Sequence, residues 1–179
     1  MIISTSNAQI KELAKLQKKS RLRDEKGIFL VEGPRMTEEI PAERIEKVYA
    51  SESFAKKNKE FLERLQAPVE LLTDTVFAYV SDTKTPQGIL AIVKRLDYTM
   101  KDLMQVKDQK APHLIVLDNL QDPGNLGTIL RAGEAAGVTG VIMSHDCVDI
   151  YNPKVIRSTM GAVFRMPFFY VKDLPAAVK

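Results

Sequence analysis

Apolar and polar residues alternate along the chain with two different periods, and the first half of the chain shows both. Residues 7–19 place apolar side chains three and four positions apart, with lysines on the other side, which predicts a helix capped by Asn7. A short apolar run between two glycines, residues 27–33, predicts a buried strand. The same reasoning predicts helices over 34–40, 53–66 and 73–82 and strands over 45–51, 69–73 and 87–94. Strands that alternate with helices in this way indicate a compact α/β unit.

The alternation resumes after a more polar stretch. Residues 96–111 carry many charges and little periodicity, and we interpret them as a linker with one helical turn. Strands are then predicted over 113–118, 140–144 and 165–171. The first of these is apolar and β-branched, so we expect it to be a central parallel strand. The sequence therefore predicts two domains, residues 1–95 and 112–179, with the linker between them.

Composition adds few constraints beyond these. Apolar residues make up 45% and charged residues 27% of the chain, which is ordinary for a globular protein. No apolar run approaches the roughly 20 residues that span a bilayer, so we expect no membrane association. The single cysteine, Cys147, excludes an internal disulfide and suits the reducing cytoplasm. His145 lies nearby, but with no third ligand close in sequence we expect no metal site.

The net charge of +3 is unevenly distributed along the chain. Residues 1–26 hold seven lysines and arginines against three acidic residues, and the rest of the chain is close to neutral. A basic segment on a neutral body indicates a localised contact with a polyanion. A solvated helix face is the alternative interpretation.

The segment after strand 113–118 carries the candidate chemistry. Asp122 is a candidate N-cap and Pro123 suits the first position of a helix that runs to about Ala136, with Gly137 as its left-handed stop. This loop lies at the carboxyl end of a parallel strand, where open α/β sheets bind ligands, and it leads into a helix N-terminus that favours anions. Neither the P-loop pattern nor the dinucleotide-binding glycine pattern is present, which disfavours a nucleotide-binding α/β protein.

Gly127 and Arg131 lie four residues apart on the predicted helix and therefore share a face. Because glycine has no side chain, we expect a substrate backbone to approach closely, one turn from the guanidinium. A guanidinium is a natural bidentate partner for phosphate. The structural alternative is an ion pair of Arg131 with Asp118, Asp122 or Glu134.

Residues at this spacing resemble the first signature motif of the SpoU (TrmH) family of RNA ribose 2′-O-methyltransferases, in the knotted SPOUT class. They are Asn119, Asp122, Pro123, Asn125, Gly127 and Arg131. Residues 3–35 and 85–93 resemble the RNA-binding N-terminal domain of the family, and residues 157–168 resemble the segment that leads into its second motif. The resemblance implies a small α/β domain like kink-turn-binding ribosomal proteins, followed by an incomplete SPOUT trefoil-knot domain with a parallel sheet.

The resemblance also implies a function, S-adenosylmethionine-dependent methylation of a ribose 2′-hydroxyl in ribosomal or transfer RNA by a protein that is a homodimer when complete. Asn125 and Arg131 are the catalytic residues that it implies. Because an arginine keeps its proton, we interpret Arg131 as a clamp on the nucleotide phosphate and the developing oxyanion, with Asn125 orienting either that arginine or the ribose. We expect phosphate contacts from the basic segment. Its members are Lys18, Lys19, Arg21, Arg23 and Arg35.

The second and third motifs of the family lie C-terminal to the last matching segment, and the sequence ends at Lys179 before either of them. We therefore expect the residues that bind the methyl donor to lie beyond Lys179. We also expect this polypeptide alone not to bind S-adenosylmethionine appreciably. A structured-RNA-binding module without catalysis is the alternative function.

Overall fold

A computed structural model of the protein describes residues 1–105 and 111–179, and these form two compact units, Met1–Arg95 and Leu96–Lys179. The α/β class predicted from the sequence is confirmed. Residues 106–110 of the predicted linker lie outside the described residues. Its earlier part folds within the second unit as helix α7 (Met100–Met104), because the fully buried side chain of Leu103 lies against Gly140.

The first unit is built on a four-stranded mixed sheet with the order β1-β4-β2-β3. Strands β2 and β3 are parallel, and β4 is antiparallel to both of its neighbours. The strands are β1 (Ile28–Glu32), β2 (Ile45–Ser51), β3 (Val69–Leu72) and β4 (Ile89–Lys94). The helices are α1 (Ala8–Lys18), α2 (Ser20–Lys26), α3 (Pro34–Glu38), α4 (Glu52–Lys57), α5 (Lys59–Arg64) and α6 (Asp74–Val80). The carboxyl ends of β2 and β3 therefore lie at the same edge of the sheet as the carboxyl end of β1 and the beginning of β4.

Local sequence explains most of these boundaries. The Asn7 side chain accepts a hydrogen bond from the Gln9 amide at the start of α1, as predicted. Helix α2 was not predicted; it ends at Gly27, whose φ of 65° lies in the left-handed region. The single helix predicted over 53–66 was wrong, because Asn58 interrupts it. Asn58 leaves the helical conformation, with a φ of −130° and a ψ of 41°, and its side chain and its amide both donate to the Phe54 carbonyl.

The second unit contains a three-stranded parallel sheet with the order β5-β6-β7. Its strands are β5 (Leu114–Leu117), β6 (Gly140–Ser144) and β7 (Phe168–Val171), and its helices after α7 are α8 (Pro123–Ala135), α9 (Pro153–Thr159) and α10 (Leu174–Ala177). The predicted central position of β5 was wrong: within the described sheet β5 is an edge strand, and Val116 is 46% exposed. The central strand is β6, which is buried along its whole length. The apolar run of β5 therefore did not determine how many strands flank it or how deeply it is buried.

Candidate functional site

The loop after β5 is fixed by the loop after β6. The Asn119 amide donates to Ser144 Oγ at 2.9 Å, and the Leu120 amide donates to Cys147 Sγ at 3.4 Å. In return, the Val148 amide donates to the Leu120 carbonyl at 2.8 Å. Asn119 has a φ of 49°, a left-handed conformation that asparagine tolerates better than most residues. These contacts hold the first part of the motif in one conformation, and Ser144 and Cys147 supply two of them.

Helix α8 begins and ends as its sequence predicts. Asp122 is the N-cap, and its side chain accepts a hydrogen bond of 2.7 Å from the Asn125 amide. Pro123 occupies the first helical position, and Gly137 follows the helix with a φ of 77°. The side chain of Asn125 is exposed in the first turn. The motif therefore presents this amide from a helix whose start is fixed.

Arg131 lies on the same helix and is also exposed. Among the residues that the structure describes, no carboxylate pairs with its guanidinium. Glu134, one of the three carboxylates considered as alternatives, instead binds the side chain of Arg165. Asn125 and Arg131 make no contact with each other, and their Cα atoms are about 9 Å apart along the helix axis. The structure therefore leaves both side chains free for a ligand and does not support an orienting contact between them.

The role predicted for Gly127 was wrong. Gly127 is buried, and a Cβ placed on it would lie 1.8 Å from Ser158 Oγ and 2.9 Å from the Ser158 carbonyl carbon. The missing side chain makes room for helix α9 rather than for a substrate. The buried face of α8 consists of Leu126, Gly127, Leu130 and Gly133.

The basic segment of the first unit divides into exposed and buried residues. Lys18, Lys19, Arg21 and Arg35 are exposed, and Arg21 pairs with Glu25 at 2.8 Å along α2. The fifth predicted residue is placed differently. Arg23 is only 3% exposed, and its guanidinium donates to the Leu16 carbonyl at the end of α1 at 2.9 Å. This arginine ties α1 to α2, so the structure removes it from the RNA-binding set.

Sequence reasoning missed a polar cluster at the carboxyl end of β1. The carboxylate of Glu32 is buried and accepts hydrogen bonds from the Ser81 and Thr83 hydroxyls and from the Asp82 amide. The signal in the sequence was a glutamate at the end of an otherwise apolar strand. Its partners lie 49 to 51 residues away and could not be recognised from spacing.

A cavity of about 380 Å³ lies at the same edge of the sheet in the first unit. Its apolar walls are Phe54 and Phe77, and its polar rim includes Asn58, Asp74 and Gln87. The pKa of the exposed Asp74 carboxyl is lowered, chiefly by the hydrogen bond from the Ser53 hydroxyl. The rim therefore offers a carboxylate and two amides above largely buried apolar side chains.

The described residues contain no group of three histidine, cysteine or acidic side chains arranged to hold a metal ion. The buried Cys147 instead uses its thiol within the fold, where it donates to the Leu117 carbonyl at 3.4 Å. No helix within the described parts of the chain combines the length and the apolar character that crossing a membrane requires.

Comparison with known proteins assigns both units. Residues 112–179 match the SpoU rRNA Methylase family, and residues 7–91 match the MRM3-like substrate binding domain. An N-terminal α/β unit followed by a parallel-sheet unit that carries this motif defines the class of SpoU-type RNA methyltransferases. The chain belongs to the SpoU family.

Individual relatives agree with this assignment. The chain is 38% identical over 160 residues to the protein named rRNA methyltransferase 3, mitochondrial, of Homo sapiens, with 83% of this chain and 36% of that protein covered. It is 31% identical over 180 residues to the 23S rRNA (guanosine(2553)-2′-O)-methyltransferase RlmP of Bacillus subtilis, with 99% of this chain and 67% of that protein covered. The AdoMet-bound rRNA methyltransferase of Sinorhizobium meliloti is 25% identical, with a TM-score of 0.76 over 94% of this chain and 63% of that one. The chain thus spans between about a third and two thirds of the length of these relatives.

Proposed function

We propose that this protein takes part in the S-adenosylmethionine-dependent 2′-O-methylation of ribosomal RNA, with the first unit binding the RNA and the second unit acting at the ribose. One observation carries the proposal. Arg131 is exposed on a helix whose start is fixed by the Asp122 cap, and no described carboxylate pairs with its guanidinium. This helix lies inside the segment that matches the SpoU family. An arginine with only a structural role would be paired or buried, as Arg165 and Arg23 are.

The chemistry of Arg131 suits the reacting nucleotide. Its guanidinium stays protonated and presents two parallel donors to a phosphate. Its fixed positive charge also stabilises the negative charge that develops on the ribose oxygen as the hydroxyl proton leaves. Asn125 offers an amide to the ribose from the first turn of the same helix. No described carboxylate has to be displaced from either side chain before RNA binds.

S-adenosylmethionine supplies the methyl group in this proposal, in keeping with the AdoMet-bound relative from Sinorhizobium meliloti. The loops after β5 and β6 are joined by the bond between Leu120 and Val148 and by a bond from the Gln121 side chain to the Asp146 carbonyl. These bonds engage the backbone of both loops within the fold. We assign the exposed Asn125 and Arg131 to the RNA and expect the residues that bind the donor elsewhere.

The substrate assignment follows from the first unit and from the names of the relatives. The exposed cations Lys18, Lys19, Arg21 and Arg35 provide phosphate contacts that position RNA without reading its bases. All three quoted relatives are named for ribosomal RNA, which favours ribosomal over transfer RNA. The proposal also includes a cytoplasmic location and a homodimer. The exposed alanines of α8, namely Ala132, Ala135 and Ala136, leave room there for a second chain.

Transfer of the tritiated methyl group from S-[methyl-³H]adenosylmethionine to a 23S ribosomal RNA transcript tests the proposal. Filter binding of the same transcript measures RNA affinity separately. We expect transfer, and resistance of the modified position to alkaline cleavage, from a protein that joins this sequence to the donor-binding motifs of the family. The variant Arg131→Lys keeps the charge but not the bidentate geometry, so we expect its turnover to fall by about 100-fold with RNA affinity nearly retained. Near-normal turnover of this variant would contradict the bidentate clamp. Tight RNA binding without transfer by that joined protein would support the binding module instead.

A further inference from the structure

Glu32 is a buried carboxylate with an unusual set of partners. It is 8% exposed, and no cation within the described parts of the chain pairs with it. All of its partners are donors from one short segment, the hydroxyls of Ser81 and Thr83 and the amide of Asp82. Burying a carboxylate is costly unless hydrogen bonds compensate for it. A position that only completed the core would be apolar, so Glu32 fixes this segment in place.

The other end of the same segment is fixed by close packing. Gly33 has a φ of 99°, and a Cβ on it would lie 2.5 Å from Gln87 Oε1. Gly88 has a φ of 83°, and a Cβ there would lie 2.6 Å from Phe54 Cβ. Residues 81–88, here called the 81–88 loop, are therefore held at both ends. Between these ends the side chains of residues 84–87 are exposed, with Pro86 limiting the backbone.

The 81–88 loop lies at the same end of the first unit as the exposed cations. The Gln17 side chain donates to the Val80 carbonyl at 3.2 Å, which places the end of α1, with Lys18 and Lys19, beside the start of the loop. Arg35 follows Gly33 at the carboxyl end of β1. Lys84 adds a further cation from the loop itself. No ion pair of Lys18, Lys19, Arg35 or Lys84 occurs among the described residues, and Asp82 is the acidic residue within the loop.

The loop also forms one wall of the 380 Å³ cavity, through Pro86, Gln87 and Gly88. Sequence-specific binding of RNA uses unstacked bases that are placed on aromatic surface and hydrogen-bonded at their edges. Phe54 and Phe77 line the cavity but are only 9% and 1% exposed, so the contacts that it offers to an unstacked base come mainly from the amides of Asn58 and Gln87 at its rim. A phosphate contact by Lys84 would bring the RNA backbone to the mouth of this cavity.

We propose that the 81–88 loop is an RNA-binding element, in which Lys84 binds phosphate and Gln87 contacts an unpaired nucleotide at the cavity. Glu32 is a positioning residue that acts through this loop. The inference rests on the proposed function, because it assigns further contacts to the RNA that the first unit binds.

The binding test compares Lys84→Ala and Gln87→Ala with Lys94→Ala on a 23S ribosomal RNA transcript. Lys94 is an exposed lysine at the opposite end of β4, and no described carboxylate pairs with it, so its variant is a matched control for charge. For Lys84→Ala we expect weaker binding and a plot of log affinity against log salt that is shallower by about one unit, as for the loss of one phosphate contact. For Gln87→Ala we expect weaker binding with an unchanged salt slope. If both variants bind like Lys94→Ala while the wild-type protein binds tightly, the inference is wrong and the proposed function stands.

The positioning role is tested with Glu32→Gln, which keeps the size of the side chain. The new NH2 group would face the hydroxyls and the amide that now donate to the Glu32 carboxylate, so part of this hydrogen bonding is lost. We expect faster hydrogen exchange at the Asp82 amide and a loss of RNA affinity similar to that of Lys84→Ala. The double variant Glu32→Gln with Lys84→Ala should bind RNA no more weakly than whichever single variant loses more affinity, because both substitutions act through one loop. Additive losses would contradict the positioning role. A wild-type protein that does not bind RNA at all would overturn the proposed function, and this inference with it.

Discussion

The two units fix their functional loops in the same way but with different chemistry. In the first unit, the 81–88 loop is held by the buried carboxylate of Glu32. In the second unit, the loop after β5 is held by the neutral side chains of Ser144 and Cys147. In both units the fixing group binds within the fold and leaves the exposed functional side chains free. The difference shows that a preorganised loop needs acceptors for its donors, whereas the charge of those acceptors can vary.

The surroundings of the two loops also differ. The first unit surrounds its sheet with helices and buries a large apolar cluster, which includes Ile10, Leu13, Phe77 and Leu90. The second unit also buries apolar side chains, among them Leu126, Leu130 and Val155, but it packs α8 closely against α9 at Gly127 and leaves β5 half exposed. We therefore expect substitutions at the α8–α9 contact to affect stability most and substitutions at single loop acceptors to affect it least.

The largest effect is expected for Gly127→Ala. The new methyl group would overlap Ser158, including its backbone, so α8 and α9 must move apart. Overpacking of this kind costs about 1–3 kcal/mol and exceeds the gain of about 1 kcal/mol from a better helix former. Hydrogen-exchange mass spectrometry in urea, read from peptides of the second unit, measures the change in the free energy of unfolding.

Gly133→Ala is the matched control on the same buried face. Its Cβ would lie 3.0 Å from Ile115 Cδ1, the end of a flexible side chain that can give way. We expect this variant to be as stable as the wild-type protein or slightly more stable. Equal destabilisation by the two substitutions would show that helix α8 does not depend on the close contact at Gly127.

The next effect concerns Tyr170, whose hydroxyl donates to the Val148 carbonyl at 2.7 Å and accepts from the Ile150 amide at 2.9 Å. Burial raises the pKa of the Tyr170 phenol, although the bond from Ile150 acts in the opposite direction. The folded state therefore favours the neutral phenol. Its contribution to stability is complete below pH about 10, the ordinary tyrosine pKa, and is lost as the pH rises towards the raised pKa of the folded state.

The variant Tyr170→Phe should lower the free energy of unfolding by about 1 kcal/mol at neutral pH, because two hydrogen bonds are lost. The variant should also lack the loss of stability that ionisation of Tyr170 causes in the wild-type protein at alkaline pH. Urea denaturation at pH 7, 9, 10 and 11 measures both effects. Burial also raises the pKa of Tyr49 in the first unit. Its contribution is the same in both proteins, so it cancels when the free energy of unfolding of the variant is subtracted from that of the wild-type protein. A constant difference across this pH range would contradict the assignment to Tyr170, and Tyr79→Phe, at an exposed position, serves as the control.

Local signals in the sequence predicted the ends of α8 correctly, because Asp122 and Gly137 act within one turn of the helix. The role of Gly127 could not be predicted in the same way, since its partner Ser158 lies 31 residues further along the chain. Arg23 was misassigned for a related reason. Its acceptors are backbone carbonyls, which any sequence provides, so charge alone did not distinguish it from its exposed neighbours. The family motif supplied Asn125 and Arg131 as candidates, and their roles stay predictions; the groups that hold the motif loop in place could not be recognised from the sequence.

The smallest effect on stability is expected at Cys147, and it is also the most localised. A thiol is a weak acceptor, so Cys147→Ala should lower the free energy of unfolding by less than about 1 kcal/mol. The Leu120 amide then loses its partner, and we expect its hydrogen exchange, followed by NMR, to accelerate while amides in β6 remain protected. Cys147→Ser restores an acceptor and should slow this exchange again. Because the neighbouring Asn119 holds a left-handed conformation, a loosened loop should relax away from it, and turnover should fall more than stability does. If Leu120 exchanges at the wild-type rate in Cys147→Ala, the other bonds between the two loops, those of Ser144, Val148 and Gln121, are enough to hold the motif loop. The resemblance between the two units would then be limited to a single side chain in each.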